Sequence, residues 1–116
     1  MAVEDCIFCK ITDGRLPSTL VFEDDRCVAF NDLSPQAPTH ILIIPRQHLD
    51  SLDKTEEEHG PMLGHLLTTA ADIARGLGFA AEGYRVVINT NANGGQTVFH
   101  LHVHLLAGRP FVFPPG

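Results

Sequence analysis

The sequence predicts an α+β domain built on an antiparallel sheet. Short β-rich runs follow one another through brief links, one segment spaces its apolar residues as a helix does, and the last run alternates polar and apolar side chains. The 116 residues, 44% hydrophobic and 19% charged, suit one modest core and leave no room for two. No repeat, low-complexity tract or linker divides the chain, so a single domain over residues 1–116 is expected.

The elements follow in order. "STLVFED" (18–24) and "RCVAFND" (26–32) are split by acidic residues around Asp24 and Asp25, the pattern of a hairpin. "HILIIP" (40–45) follows the proline-rich loop "LSPQAPT" (33–39), and its unbroken apolar character predicts a strand buried on both faces and stopped by Pro45. Thr55 and Glu58 fit a capping box, with Glu56 and Glu57 favourably placed near a helix N-terminus. Leu63, Leu67, Ala70, Ala74 and Leu77 then recur at helical spacing, and Gly78 supplies a stop. Because proline lacks a donor and restricts its predecessor, Gly60-Pro61 points to a helix start at Pro61. A strand "YRVVIN" (84–89), a connection "TNANGGQ" (90–96) and a last strand "FHLHVHLLAG" (99–108) complete the chain.

Charge narrows the function classes. A formal net charge of −6 argues against a sequence-independent grip on nucleic acid or on an anionic membrane, so any phosphate must be held locally. No run of eighteen apolar residues is present, and "MAVEDCIFCK" is acidic where a signal peptide is basic and then apolar, so a cytoplasmic location is expected. Three cysteines, Cys6, Cys9 and Cys27, do not make a disulfide framework. Cys6-x-x-Cys9 could place two thiolates on one metal, which is half a site, or pack as reduced thiols. Cys27 alternates with the hairpin's apolar residues as a small buried hydrophobe, and His59 and His65 take solvent or packing roles.

The last strand carries the chemistry. Alternation puts His100, His102 and His104 on one face, with Leu101, Val103 and Leu105 on the other. An ordinary polar face would draw Lys, Thr or Glu. A metal site made of all three fails on distance, because the outer two stand roughly 13 Å apart along a strand and Zn–N bonds are about 2 Å. One imidazole acting as nucleophile, with its neighbours as donors to a phosphate, suits histidine's near-neutral pKa.

"HLHVHLL" resembles the His-φ-His-φ-His-φ-φ signature, φ being apolar, of the histidine-triad (HIT) nucleotide hydrolases and transferases. "IFCKI", "FEDDRCVAFNDLSPQAPTHILIIPRQH", "NTNANGGQTVFHLHVHLLAGR" and the closing "PPG" extend the resemblance over nearly the whole chain, toward the HINT-like branch of purine nucleoside phosphoramidases. The resemblance implies a HIT fold: a five-stranded antiparallel sheet, one main helix and a short N-terminal helix. Two copies would pair as a homodimer with a ten-stranded sheet, covering an otherwise open edge. It implies hydrolysis of the P–N bond in purine nucleoside 5′-phosphoramidates of the AMP-amine type, and in some members of aminoacyl-adenylates. A nucleotidyl-histidine intermediate divides the displacement in two.

By correspondence His102 is the nucleophile, with a neighbouring triad carbonyl accepting its Nδ1 proton. His104 and His40 stand beside the phosphate as donors. Asn89, Gln96 and Thr97 match positions contacting phosphate, ribose or leaving group, Thr97 standing where serine is commoner. Gly94 and Gly95 permit a positive φ and close backbone approach to an anion, and "NGG" equally suits a plain turn. Asp32 matches the ribose-binding acid, and Ile7, Phe8, Ile11, Phe30 and Leu33 the walls of the purine slot, residues that would otherwise be plain core. Some members complete a structural zinc with the positions of Cys6, Cys9, His48 and His100, and no organic cofactor is implied.

Two departures stand out: Phe113 precedes "PPG" where tryptophan is common, and Phe99 precedes the triad where tyrosine is frequent. The alternative function is a purine nucleotide-sensing or interaction protein with negligible turnover. A dinucleoside polyphosphate hydrolase fits less well, since that branch has a different C-terminal region.

Overall fold

The computed structural model describes residues 3–116. A short helix α1 (Ile7–Thr12) precedes strands β1 (Leu20–Glu23), β2 (Cys27–Asn31) and β3 (Thr39–Pro45). Two 3₁₀ turns (Leu52–Lys54 and Glu57–His59) lead into the main helix α2 (Gly60–Leu77), followed by β4 (Arg85–Val87) and β5 (Val103–Ala107). The five strands form one sheet in the order β1-β2-β3-β5-β4, every pair antiparallel. This is the five-stranded sheet with one main helix and a short N-terminal helix that the sequence leads one to expect. No helix among the described residues is long and apolar enough to cross a membrane.

β3 lies at the centre, and both of its faces are buried as its apolar run predicts. Ile41 and Ile43 face α2 with Val103 and Leu105 of β5, against Leu66, Ala70 and Ile73 of the helix. Leu42 and Ile44 face the other way with Val28 and Phe30, and Phe8 of α1 covers them. Since α1 is only six residues long, it covers part of that second face and leaves the rest open. His40 and His104 lie on this face, offset by two residues across the β3–β5 ladder, in which Leu42 pairs with His104 and His40 with Leu106.

The hairpin around Asp24 forms as predicted. Asp24 Oδ1 accepts the amides of Arg26 and Cys27, both at 2.8 Å. His65 of α2 reaches Asp24 Oδ2 at 2.7 Å, so of the solvent and packing roles open to it this histidine takes the packing one and ties the helix to the hairpin. Burial opposes ionisation of Asp24, yet the two amides and His65 hold its carboxyl well below the usual carboxylate range. Burial pushes the Cys27 thiol up to about 11, as befits an inert core cysteine.

Three boundaries differ from expectation. The capping box is formed by Glu56 and His59, not by Thr55 and Glu58; Thr55 Oγ1 instead donates to Leu52 O at 2.7 Å, closing the first 3₁₀ turn. Pro61 explains the shift, because its ring would meet the carbonyl four residues earlier in a continuous helix, so the α-helix starts at Gly60 with proline in its first turn. Gly78, with φ at 89°, ends α2 as predicted. The last strand begins at Val103, not Phe99: Pro45 has no amide to continue the ladder, and Leu101 N donates to Leu49 O at 2.7 Å instead. His100 and His102 therefore precede the strand, and only His104 lies within it. β4 is likewise limited to Arg85–Val87.

Candidate functional site

A cleft of about 610 Å³ opens where α1 leaves the sheet uncovered. Ile7, Phe8, Ile11 and Phe30 form its apolar end, Asp32 and Leu33 its rim, and His40, His102, His104 and Thr97 its polar end. Residues from five separate stretches of chain meet here. Leu33 is 94% exposed and stands over the rim, whereas His40 and His102 are buried in the floor.

The hydrogen bonds of the three cleft imidazoles fix where each proton lies. A carbonyl only accepts, so His102 Nδ1, 2.7 Å from His100 O, carries the proton, and its Nε2 keeps a free lone pair. Gln36 N–H donates to His40 Nδ1 at 3.0 Å, which puts the His40 proton on Nε2. That Nε2–H is 2.9 Å from His104 Nδ1 but 3.5 Å from Asp32 Oδ2, so it donates to His104. His104 must then hold its own proton on Nε2. That atom is buried with no hydrogen-bond partner among the described residues. An unmatched buried donor costs about 1–3 kcal/mol, so the site is arranged to receive an acceptor there.

Burial lowers the pKa of His40 and of His102, and that of His104 to about 4, with His102 and His40 adding to the last effect by mutual repulsion. The neutral forms required by these hydrogen bonds are therefore those favoured near neutrality. Phe8 stands perpendicular to the His102 ring with centroids 5.2 Å apart, closing one side of it.

Not every expected residue reaches the cleft. Gln96 is buried, and its side chain is committed elsewhere: Nε2 donates to Asp50 O at 2.8 Å and Val98 O at 3.0 Å, and Oε1 accepts Asn91 N at 2.9 Å. It braces the loop instead of facing the cavity. Gly95, with φ at 85°, lies in that turn, and a Cβ on Gly94 would run into the backbone of Thr90, so the turn requires both glycines. Asn89 lines a neighbouring cavity with Arg85, Phe111 and Phe113 of the C-terminal tail.

On the far side of α1 a second group assembles. Cys6, Cys9, His48 and His100 bring four donor atoms within 4.8 Å of one another. Cys6 Sγ is 3.2 Å from His100 Nδ1, Cys9 Sγ is 3.4 Å from His48 Nδ1 and 3.6 Å from His100 Nδ1, and the two Nδ1 atoms are 3.2 Å apart. The outer ring nitrogens decide the tautomers here too. His100 Nε2–H donates to Pro45 O and His48 Nε2–H to Asp50 Oδ1, both at 2.8 Å. Both Nδ1 atoms thus present lone pairs toward each other and toward two sulfurs, an arrangement satisfied either by a cation between them or by the S–H protons of the two free cysteines. The four residues could hold one metal ion. The sequence reading singled out neither Asp50 nor the Gln36 amide: Asp50 stands two residues beyond His48, a spacing that could have marked it, whereas a backbone donor leaves no mark in the residue pattern.

Comparison with known proteins agrees with this geometry. The HIT domain model matches residues 13–111. A HIT-like protein of Synechococcus elongatus is 54% identical over 113 residues, 97% of this chain and 98% of that one. The purine nucleoside phosphoramidase of Escherichia coli K12 is 50% identical over 107 residues, 92% of this chain and 90% of that protein. The crystal structure of a HIT family hydrolase from Legionella pneumophila superposes with a TM-score of 0.95 at 46% identity, covering 97% of this chain and all of that one (100%). A histidine triad protein from Clostridium difficile gives 0.94 at 47% identity, covering 97% of each chain. With the family model matched over residues 13–111 and these proteins matched over nearly its full length, the chain belongs to the HIT domain family.

Proposed function

We propose that this protein hydrolyses purine nucleoside 5′-phosphoramidates of the AMP-amine type, aminoacyl-adenylates being a related substrate class. One observation carries the reading: the free lone pair of His102 Nε2 and the unmatched N–H of His104 Nε2 lie in one cleft. A nucleophile and a donor are what attack on a phosphorus bearing anionic oxygens requires. The name of the E. coli relative, half of whose aligned residues are shared, supports the same substrate class.

In this reading the purine enters the apolar end between Ile7, Phe8, Ile11, Phe30 and Leu33, and the ribose hydroxyls donate to Asp32. His102 Nε2 attacks the α-phosphorus; the new P–N bond forms as the bond to the leaving nitrogen breaks, and that nitrogen, protonated from solvent water, departs as the amine. His104 Nε2–H donates to a phosphoryl oxygen, backed by His40. Thr97, exposed at the junction of loop and cleft, meets the phosphate or the leaving group, with Asn89 and Gly95 nearby in the chain. Water then cleaves the nucleotidyl-histidine and releases AMP. Gln96 contributes by holding the loop.

We assign the Cys6, Cys9, His48 and His100 cluster to structural zinc. Zinc bonds of about 2.3 Å to sulfur and 2.0 Å to nitrogen give tetrahedral edges of roughly 3.3–3.8 Å; four of the six donor separations here are 3.2–3.6 Å, and all lie within 4.8 Å. When bound with four protein ligands, such an ion cross-links the chain. We also infer a homodimer joined across the β4 edge into a ten-stranded sheet, in a cytoplasmic protein. Sedimentation should give twice the 12.7 kDa chain mass, and a monomer at assay concentration contradicts the pairing.

Replacing His102 with alanine should lower kcat for an adenosine 5′-phosphoramidate by about 10³-fold or more and abolish the adenylyl adduct in intact mass, while AMP binding stays within about tenfold. An active His102→Ala enzyme excludes this nucleophile, and a wild type that binds AMP yet turns nothing over points to the sensing function. The pH profile follows from burial of His102. Attack needs the neutral ring, whose proton affinity in the fold is below that of an ordinary histidine, so the acid limb of kcat/KM should lie below about pH 6.5. A limb above neutrality assigns the rate to another group.

A further inference from the structure

The metal cluster and the cleft are joined through two of the cluster's own residues. Cys6 and Cys9 stand on either side of Ile7 and Phe8, and these two, with Ile11, are α1's contribution to the apolar end of the cleft. A helix of six residues does not persist by its own hydrogen bonds. Besides the cluster, α1 is held to the body by a bond from Arg46 Nη1 to Thr12 O at 2.7 Å and by the packing of Phe8 and Ile11 on Val28, Phe30, Leu42 and Ile44, with Phe8 also edge-on to His100 and His102. On the body side, His100 offers Nδ1 to the cluster while its carbonyl oxygen, 2.7 Å away, receives the Nδ1 proton of His102. The same residue is thus a metal donor and the acceptor that orients the nucleophile.

We propose that the Cys6, Cys9, His48 and His100 cluster is a positioning centre: a bound metal ion fastens α1 to the sheet, seating the purine wall, and immobilises the His100 carbonyl that orients His102. This rests on the nucleotide reading of the cleft and the metal reading of the cluster. The four residues touch no substrate atom. They act through Phe8, which packs against the His102 ring, and through the His100 carbonyl. Without the ion, α1 loses the cross-link between its two cysteines and the two histidines of the body, and the wall and the nucleophile's acceptor loosen together. The effect should divide between the kinetic constants, the wall acting on KM and the acceptor on kcat.

The test uses the full chain, made metal-free by chelation under reducing conditions and then reloaded with Co²⁺, whose thiolate bands report ligation independently of activity. AMP affinity is measured by calorimetry in both states, with circular dichroism reporting the sheet. The proposal expects one Co²⁺ per chain, AMP binding weakened at least about tenfold in the metal-free protein, and full recovery on reloading. Phe8→Ala keeps all four donors and stands in if the metal-free chain unfolds: its Co²⁺ spectrum should be unchanged while AMP binding falls by about tenfold, the worth of a lost aromatic contact. Equal AMP affinity in folded loaded and metal-free protein, or unchanged AMP binding by Phe8→Ala, overturns the coupling and leaves the cluster as a distant staple. Absence of Co²⁺ binding overturns it at the metal. Failure of the loaded protein to bind AMP overturns the nucleotide reading itself, which the Co²⁺ spectrum distinguishes from failure of the coupling.

Discussion

Everything in this site follows from the burial of neutral imidazoles against one face of a sheet. A neutral imidazole has one donor and one acceptor, and a buried one must find partners for both or leave an unpaired group at a cost of about 1–3 kcal/mol. Backbone atoms supply the fixed ends: the Gln36 amide donates to His40, the His100 carbonyl accepts from His102, and the Pro45 carbonyl accepts from His100. Once these are set, every other proton position is forced. His40 donates to His104, and His104 is left with one N–H directed at no protein atom.

The fold exists to hold those backbone atoms still. Pairing of β3 with β5 brings His40 and His104, far apart in sequence, to 2.9 Å, and the α2 side of the same ladder is filled by Ile41, Ile43, Leu66, Val103 and Leu105. A slip of one residue in this register would turn His104 into the core and Leu105 into the cleft. α1 completes the arrangement from the other side, with Phe8 facing the sheet beside the nucleophile and two thiols facing His48 and His100.

Much of this was legible in the sequence. Three histidines alternating with aliphatic residues declare a shared face, and Cys6-x-x-Cys9 with His48 and His100 declares a ligand set once the resemblance is recognised. The resemblance alone singles out Ile7, Phe8, Ile11, Phe30, Asp32 and His40, and they meet in one cleft. What escaped was set by backbone and by long-range packing. The Gln36 amide, on which the proton order depends, is invisible to residue type. Gln96 reads as a ligand-facing amide, yet its three hydrogen bonds tie the loop to Asp50 and Val98. His65 had no local partner, because Asp24 lies 41 residues away in sequence. The late start of β5 and the displaced capping box both trace to prolines whose consequence depends on what lies opposite: Pro45 in the ladder and Pro61 in the first turn of α2.

The site depends above all on its proton order, and long-range proton–nitrogen NMR of the histidine rings near neutral pH reads that order directly. His102 should be protonated on Nδ1 alone, and His40 and His104 on Nε2 alone, with the His104 signal shifting when AMP is added. A His102 ring protonated on Nε2, or on both nitrogens, would leave no lone pair facing the cleft and would rule out His102 as the nucleophile.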